Sequence, residues 1–401
     1  MCSRVQGLRG VIAGVGQDFQ AEPKMPVPEQ TIARIINPPR MRAPVLPAAV
    51  MRSVDDDFQV EEVPAYQLTG SGEHAWLWLE KRGLSSPQMI SLLSRELRIR
   101  GGEIGLAGQK DRWAVTRQFV SVPGRCVEAA AGIALPELKV LSVTLHRNKL
   151  KTGHLKGNRF IITLRADQQP FGEADLAAVR QRLAELQSEG FPNYYGPQRF
   201  GRGGQTLHDG LRLLQGRMPK DYWPEDQSRT LKRLSLSAVQ SAVFNLTTAL
   251  RVEAGTAGTA AEGDVVIRRG GIKPFLLPAG QPTADYLPAG PMPGPEMTVA
   301  AGNALLQEQS AMQTLGLHPG VFSRFAKLTS GARRRMLEFP ENVSAELLEG
   351  ALQVSFSLPP GTFATSLLAE LAAELKDVGG AMMDERAAGE SAAGGEAEEA
   401  E

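Results

Sequence analysis

The residues that most constrain the fold and the chemistry lie in the stretch GLAGQKDRWAVTRQ, residues 105–118. Glycines at 105 and 108 allow a tight loop, and Asp111 lies in that loop between Lys110 and Arg112. The two neighbouring cations favour the ionised form of the Asp111 carboxylate. A carboxylate in a basic cleft is able to act as a nucleophile or a base, although an ordinary aspartate in a turn between strands fits the same pattern.

The sequence predicts strands and capped helices on both sides of this loop. Apolar alternation predicts strands at 58–63 and 74–79, and Ser85 with Pro87 predicts the start of a helix that ends at glycines 101 and 102. Several connections are too short for a crossover helix, so we predict an α+β fold with a mixed, largely antiparallel sheet. Further strands are predicted at 104–107, 118–122, 138–145, 159–165 and 351–358, and further helices at 173–188, 235–253 and 362–376.

The character of the sequence changes after Gly190 and changes back after residue 335. The intervening residues are rich in turns, with nine glycines and seven prolines between 255 and 304. We predict a catalytic domain made of residues 45–190 and 336–383, interrupted by an insertion domain at 191–335. Residues 1–44 and 384–401 lack sustained periodicity, so we predict a disordered N-terminal extension and a disordered acidic tail.

The overall composition is that of a globular protein, with 42% hydrophobic and 22% charged residues and no net charge. Two cysteines are too few for a disulfide framework, which favours a reducing compartment and therefore the cytoplasm. No apolar stretch is long enough to cross a membrane. The five histidines lack metal-ligand spacing and the phosphate-binding motif GxxxxGK[ST] is missing, so we expect no metal and no cofactor.

A basic run between residues 138 and 166 suggests an RNA partner. Its twenty-nine residues include seven bases and no acid, although a solvated charged face is the ordinary interpretation of such a run. An aromatic and arginine cluster at 191–202 adds stacking surfaces and guanidinium donors, a combination typical of RNA binding. We predict RNA contacts for Lys149, Lys151, Lys156, Arg199 and Arg202, with bracing of the domain junction as the alternative for Arg199.

Seven segments of the chain resemble, in their order, motifs of the TruD family of tRNA pseudouridine synthases. Together they lie between about residues 50 and 380, so the resemblance extends over most of the chain. The segment at 108–118 is similar to the family's catalytic motif. The others are DFQVEE (57–62), GEH (72–74), LKGNRF (155–160), NYYGPQRFG (193–201), LSLSAVQSAVFN (234–245) and LPPGTFATS (358–366).

The resemblance implies a pseudouridine synthase catalytic domain interrupted by a TruD-type insertion domain. It also implies that Asp111 is the catalytic aspartate and that Phe160 stacks on the target base. Arg52 stands where the family often has a basic residue near that aspartate, although lysine is the residue expected there. The positions expected to line the uridine pocket hold Phe58, Asn158 and Phe363.

The implied reaction isomerises uridine 13 in the D-arm of tRNA, with no cofactor and no protein partner. Asp111 would either add to C1′ of the ribose or remove the 2′ proton, and both routes stay open. A non-catalytic RNA-binding protein is the main alternative, but a carboxylate beside phosphates would weaken RNA binding. A glycoside hydrolase is a weaker alternative, because no second carboxylate of equal prominence stands opposite Asp111.

Overall fold

The computed structural model describes residues 27–379, so the predictions for residues 1–26 and 380–401 lie outside the described residues. Within the described range the α+β prediction is confirmed. The helices are α1 Glu29–Ile36, α2 Ser86–Leu97, α3 Val127–Ala131, α4 Glu173–Glu189, α5 Gln205–Leu214, α6 Ser228–Glu253, α7 Gly302–Thr314 and α8 Ala364–Leu368.

The strands form one large sheet and three smaller ones. Strands of the large sheet are β2 Phe58–Pro64, β3 His74–Arg82, β4 Gly105–Leu106, β5 Val115–Pro123, β6 Ala134–Leu135, β7 Leu138–His146, β8 Leu155–Leu164, β15 Glu341–Leu348 and β16 Ala351–Leu358. The remaining strands are β1 Leu46–Met51, β9 Phe191–Pro192, β10 Val265–Arg268, β11 Pro274–Leu276, β12 Tyr286–Met292, β13 Ala332–Arg335, β14 Leu337–Glu338 and β17 Ala372–Asp377.

The large sheet has the order β15-β16-β8-β2-β5-β3-β7-β6, and β4 pairs with β5 beside this path. Its pairs are antiparallel except for the parallel pair of β2 and β5. The register aligns one row of residues across five strands of this sheet. From β16 to β3 this row is Phe356, Phe160, Val60, Thr116 and Lys81, and we call the side that carries it the front face.

Helix α2 covers the part of the front face formed by β3, β5 and β7. The capping prediction for this helix is confirmed, because the Ser85 hydroxyl accepts from Gln88 N and the Gln88 side chain accepts from Ser85 N. Its buried residues Met89, Leu93 and Leu97 repeat every four positions and pack on inward residues of β3. Helix α4 and the β1 and β17 pair cover the β2, β8 and β16 part, and all five residues of the row are buried beneath these layers.

Residues 27–44 correct one prediction, because they are an ordered part of the structure. In α1, Ile32 and Ile35 are buried in a cluster with residues of α5 and α6. Farther along, the Arg40 guanidinium donates to the carbonyl oxygens of Ala369, Ala372 and Ala373. The composition of this segment suggests disorder, but its few apolar residues have partners that lie more than 150 positions away in sequence.

The predicted helix at 362–376 is also wrong beyond its first turn. The helix α8 stops at Leu368, and residues 372–377 form β17, which pairs in parallel with β1. The backbone N–H groups of Val45 and Leu46 donate to the Leu371 carbonyl, which starts this pairing. Residues such as Ala, Leu, Glu and Lys favour helices locally, but the strand partner outweighs that weak preference.

The segment predicted as an insertion starts and ends at neighbouring positions. Strand β9 at its beginning pairs antiparallel with β14, just after its end. Between them lie α5, α6, α7 and a four-stranded sheet with the order β11-β10-β12-β13. This proximity of the two ends is what an inserted domain requires, and the boundaries at 191 and 335 stay a prediction.

Replacing Ile35 by Ala tests the packing of α1. Ile35 is fully buried, so the free energy of unfolding should fall by about 2–5 kcal/mol from lost burial and the cavity left behind. Urea unfolding followed by circular dichroism measures this change. The exposed Gln30→Ala on the same helix should shift stability by less than about 0.5 kcal/mol. Equal stability of Ile35→Ala and wild type would restore the prediction of a disordered extension.

Candidate active site

Asp111 lies in the loop between β4 and β5, at the edge of the front face. About half of its side chain is exposed, at 52%, so the carboxylate is accessible from solvent. One carboxylate oxygen, Oδ2, accepts a hydrogen bond of 3.0 Å from Nη2 of Arg52. The structure therefore brings together the two residues that the resemblance paired.

Arg52 follows β1 directly and is itself 7% exposed. Its Nη1 atom donates to Asp377 Oδ2 at 2.8 Å, so the guanidinium lies between two carboxylates. The guanidinium carbon is 4.1 Å from the centre of the Phe58 ring, a cation–π distance. Arg52 has a φ of 60°, a strained value for a residue with a side chain, which the surrounding contacts must stabilise.

The backbone of the Asp111 loop is fixed by buried and half-buried polar groups. Nζ of Lys81 donates to the Asp111 carbonyl at 2.6 Å and to the Leu84 carbonyl at 2.8 Å. Lys81 is fully buried, and this burial lowers its pKa to about 8, against a smaller opposing effect of the Asp111 carboxylate. On either side of Asp111, Lys110 N donates to the Ser86 hydroxyl and Arg112 Nε donates to the Gly83 carbonyl.

A second buried charge pair joins this loop to the sheet. Nζ of Lys110 donates to Glu62 Oε2 at 2.9 Å, and both side chains are almost completely buried. Burial raises the pKa of Glu62, and the nearby Lys110 ammonium partly offsets the rise. Asn158 lies directly opposite Glu62 in the β2 and β8 pair, and its buried Oδ1 atom has no hydrogen-bond partner among the described residues.

The two predicted pocket aromatics Phe58 and Phe160 are inside the core. Phe160 is 7% exposed, and its ring stacks on Phe356 at 5.5 Å and meets the edge of Phe58 at 6.3 Å. Little of the Phe160 ring is therefore open to an incoming base, and a face-on stack would require its neighbours to move. Its stacking role stays a prediction.

Phe363 presents a far more accessible ring, with 40% of the residue exposed. It caps the N-terminus of α8 and contacts Tyr195 at a ring distance of 5.8 Å. The Arg334 guanidinium lies within 6.0 Å of the Phe363 ring and 4.3 Å from the Tyr195 ring. Phe363 thus stands at the contact between the second part of the catalytic domain and the predicted insertion.

The predicted RNA-binding residues differ in exposure and in their contacts. Lys151 and Lys156 are exposed, whereas Nζ of Lys149 donates to the Gly102 carbonyl at 2.5 Å. Arg202 is exposed. Arg199 donates to the Ser241 hydroxyl at 3.0 Å and lies over the Tyr195 ring, contacts that favour a structural role. All three residues lie within the predicted insertion, so these contacts brace the insertion and not its junction with the catalytic domain.

Sequence reasoning missed Lys81, which contacts the Asp111 carbonyl, and Asp377, which contacts the Arg52 guanidinium. The alternation of β3 already placed Lys81 on the same side as Ala75, Leu77 and Leu79, and a lysine on a buried face indicates a specific partner. No comparable sequence pattern points to Asp377, because the strand that ends at this residue was predicted as a helix.

Neither a metal cluster nor a membrane span occurs within residues 27–379. No group of three or more His, Cys, Asp or Glu residues there is arranged to hold a metal ion. None of the helices in the same range is long and apolar enough to cross a membrane.

Replacing Lys81 by Met tests the buried ammonium. Because the pKa of Lys81 is about 8 in the folded protein and 10.5 for an ordinary lysine, the unfolded chain binds the proton more tightly between these values. The free energy of unfolding of wild type should therefore rise, relative to Lys81→Met, by on the order of 3 kcal/mol from pH 7 to pH 10.5. Urea titrations at both pH values measure the change. The exposed Lys139→Met variant serves as the control. A difference in the free energy of unfolding between wild type and Lys81→Met that is the same at both pH values would contradict the buried charge.

Comparisons with known proteins place this chain in a family. The family model described as tRNA pseudouridine synthase D (TruD) matches residues 48–223 and 219–371. A tRNA pseudouridine synthase D from Anaeromyxobacter dehalogenans (strain 2CP-C) is 37% identical over 327 residues, which is 80% of this chain and 92% of that protein. A Thermus thermophilus protein of the same name is 38% identical over 80% of this chain and 88% of its own length.

A solved structure supports the fold. The crystal structure of a putative tRNA pseudouridine synthase D from Methanosarcina mazei superposes with a TM-score of 0.67 and 24% sequence identity. That match covers 86% of this chain and 98% of the other. The family match and the curated relatives confirm the resemblance seen in the sequence, and the chain belongs to the tRNA pseudouridine synthase D (TruD) family.

Proposed function

We propose that this protein isomerises uridine to pseudouridine at position 13 in the D-arm of tRNA, with Asp111 as the catalytic carboxylate. Membership of the family supports the reaction, and the names of the relatives support tRNA as substrate. The observation that carries the role of Asp111 is its geometry: an accessible carboxylate is held by a buried arginine, on a loop whose backbone is fixed by Lys81.

The reaction moves the uracil from a carbon–nitrogen to a carbon–carbon bond. The bond from N1 to C1′ breaks, the uracil turns, and C5 bonds to C1′ while the C5 proton leaves and N1 gains a proton. Atoms and electrons balance without an external oxidant or reductant. Asp111 acts at the ribose, either by adding to C1′ or by taking the 2′ proton, and the Arg52 guanidinium stabilises its negative charge in both routes.

The base must leave the RNA stack before it reaches Asp111. An extruded uracil offers its N3–H donor, and the unpaired but buried Oδ1 acceptor of Asn158 is suited to receive it once its neighbours move aside. The exposed Phe363 ring offers a stacking surface, while Phe58 and Phe160 pack beneath the Arg52 side of the site. Asn158 and Phe363 therefore act on the base, and Asp111 acts on the sugar.

The substitution Asp111→Asn separates an enzyme from a pure RNA binder. It keeps the shape but removes the charge and the reactive oxygen, so turnover should fall by at least about a thousandfold while tRNA affinity holds or rises slightly. Tritium release from C5-labelled uridine in tRNA measures turnover, and filter binding measures affinity. Asp56→Asn is the matched control, because Asp56 is also an exposed carboxylate paired with an arginine, Arg82. Normal turnover of Asp111→Asn would remove Asp111 from the mechanism.

The substitution of Lys151 and Lys156 by Ala tests their contact with phosphates. Each lost phosphate contact should reduce the slope of log affinity against log salt by about 0.9, so the double variant should lose roughly two units of slope. Filter binding of tRNA between 50 and 200 mM salt measures it. A double variant of the exposed Lys220 and Lys327 serves as control, and equal slopes for all three proteins would mean that Lys151 and Lys156 are only a solvated face.

A further inference from the structure

The turn that joins β10 to β11 presents an isolated apolar side chain among basic residues. Its sequence is RRGGIK, residues 268–273, and Ile272 is 91% exposed. Gly271 N donates to the Arg268 carbonyl at 2.8 Å, which closes the turn, and Arg269 N donates to the Asp285 carbonyl at 2.8 Å. These bonds hold the turn in place, so Ile272 is presented outward by an ordered backbone.

An isoleucine at the tip of a turn contributes nothing to folding when it is this exposed. β-branched residues are disfavoured in tight turns. The Ile272 side chain also keeps its unfavourable contact with water, because it is not packed against other side chains. The neighbouring edge strand adds Phe275 at 36% and Leu276 at 42% exposure. The Phe275 ring contacts Tyr286 edge-on at 5.3 Å, so it has a fixed orientation. The hairpin therefore offers both an apolar tip and an aromatic side.

The same turn borders a groove lined both by the predicted insertion and by strands of the large sheet. The groove has a cavity volume of 460 Å³ and is lined by Lys156, Arg269, Gly270, Gly271 and Ile272, among others. It reaches Gly157, the residue directly before Asn158 in β8. A strand of a polymer in this groove would thus contact both the β10–β11 turn and the backbone of β8.

The charges along the groove favour a polyanion. Lys156, Arg268, Arg269 and Lys273 are exposed bases, and Arg269 is oriented by its contact with the Phe339 ring at 4.7 Å. Two of the acids nearby have cationic neighbours. Glu338 is paired with Arg335 at 3.0 Å, and Asp285 lies 4.0 Å from Arg268. Glu338 and Glu341 are the acids that line the groove itself, against the three bases Lys156, Arg269 and Arg335.

We propose that the β10–β11 turn is an RNA-contacting element, in which Ile272 packs against an unstacked base and the flanking bases hold phosphates. This inference rests on the proposed function, since tRNA supplies the strand. Apolar side chains inserted beside bases stabilise distorted nucleic acid, and glycine backbone at 270 and 271 allows a phosphate to approach closely. A protein partner fits less well, because the strongly hydrated ammonium groups of Lys156 and Lys273 would have to be desolvated.

Three substitutions at one position test the apolar contact in the full-length protein. Ile272→Asp should weaken tRNA binding about tenfold and lower kcat/KM by a similar factor, because it removes the contact and adds a repelling charge. Ile272→Ala should weaken binding about threefold. Ile272→Trp should bind at least as tightly as wild type, since an indole stacks on bases, which a purely structural role of Ile272 would not predict.

The control is Leu306→Asp, which places the same charge on another exposed apolar residue, 63% exposed on α7, and should leave binding and turnover unchanged. Filter binding with transcribed tRNA gives Kd, tritium release gives kcat/KM, and thermal melting verifies that each variant is folded. Equal Kd values for folded wild type, Ile272→Asp and Ile272→Trp would overturn the inference and leave a protein-docking role for the tip. Wild-type protein that binds tRNA but releases no tritium would overturn the proposed function alone.

Discussion

The buried guanidinium of Arg52 connects three parts of the chain that are far apart in sequence. It contacts Asp111 in the catalytic-motif loop and Asp377 at the end of β17, and it covers the ring of Phe58 at the start of β2. A buried cation is costly unless carboxylates compensate it, and here two do. The loop cannot move away without leaving Arg52 with a single partner, so the ion pair fixes the position of the accessible carboxylate.

This arrangement explains why the pair of β1 and β17 belongs to the site although it lies outside the large sheet. Met51 pairs with Asp377 in the parallel register, so the residue after β1 and the last residue of β17 emerge together. Parallel strands are not joined by a short turn, so they can come from distant parts of the chain. Here β1 and β17 bring together the two ends of the predicted catalytic domain. The strained φ of Arg52 is the local cost of turning its side chain towards both carboxylates.

Much of the fold could be predicted from the sequence because its main elements carry their own signals. The alternation in β2, β3 and β16 and the capping Ser85 of α2 are local patterns, and all four elements form where they were predicted, although α2 ends at Leu97 and not at glycines 101 and 102. The errors at residues 27–44 and 362–376 have one cause: α1 and β17 are specified by remote partners. Ile35 is buried against α6, and β17 takes its conformation from β1.

The site was predictable to a similar degree. The motif pointed to Asp111, and the resemblance pointed to its pairing with Arg52, which the structure contains. The sequence could not reveal that Phe160 is buried whereas Phe363 is exposed to solvent, because exposure depends on how the layers pack. Lys81 was missed because the predicted strand stopped at residue 79, although the same alternation continued to residue 81 places Lys81 on the buried side.

The predicted insertion and the catalytic sheet are joined through side chains that orient Phe363. The Asn245 amide satisfies all three of its bonds with backbone groups, since it donates to the carbonyls of Ile35 and Tyr195 and accepts from Tyr195 N. The Tyr195 ring then contacts Phe363, and Arg334, whose pKa is lowered by burial, lies against both rings. Helix α1 is thereby coupled to the exposed ring of Phe363. If Phe363 stacks on the target base as we propose, changes in the insertion that shift Tyr195 will reach that base, even though no residue of the insertion needs to touch Asp111.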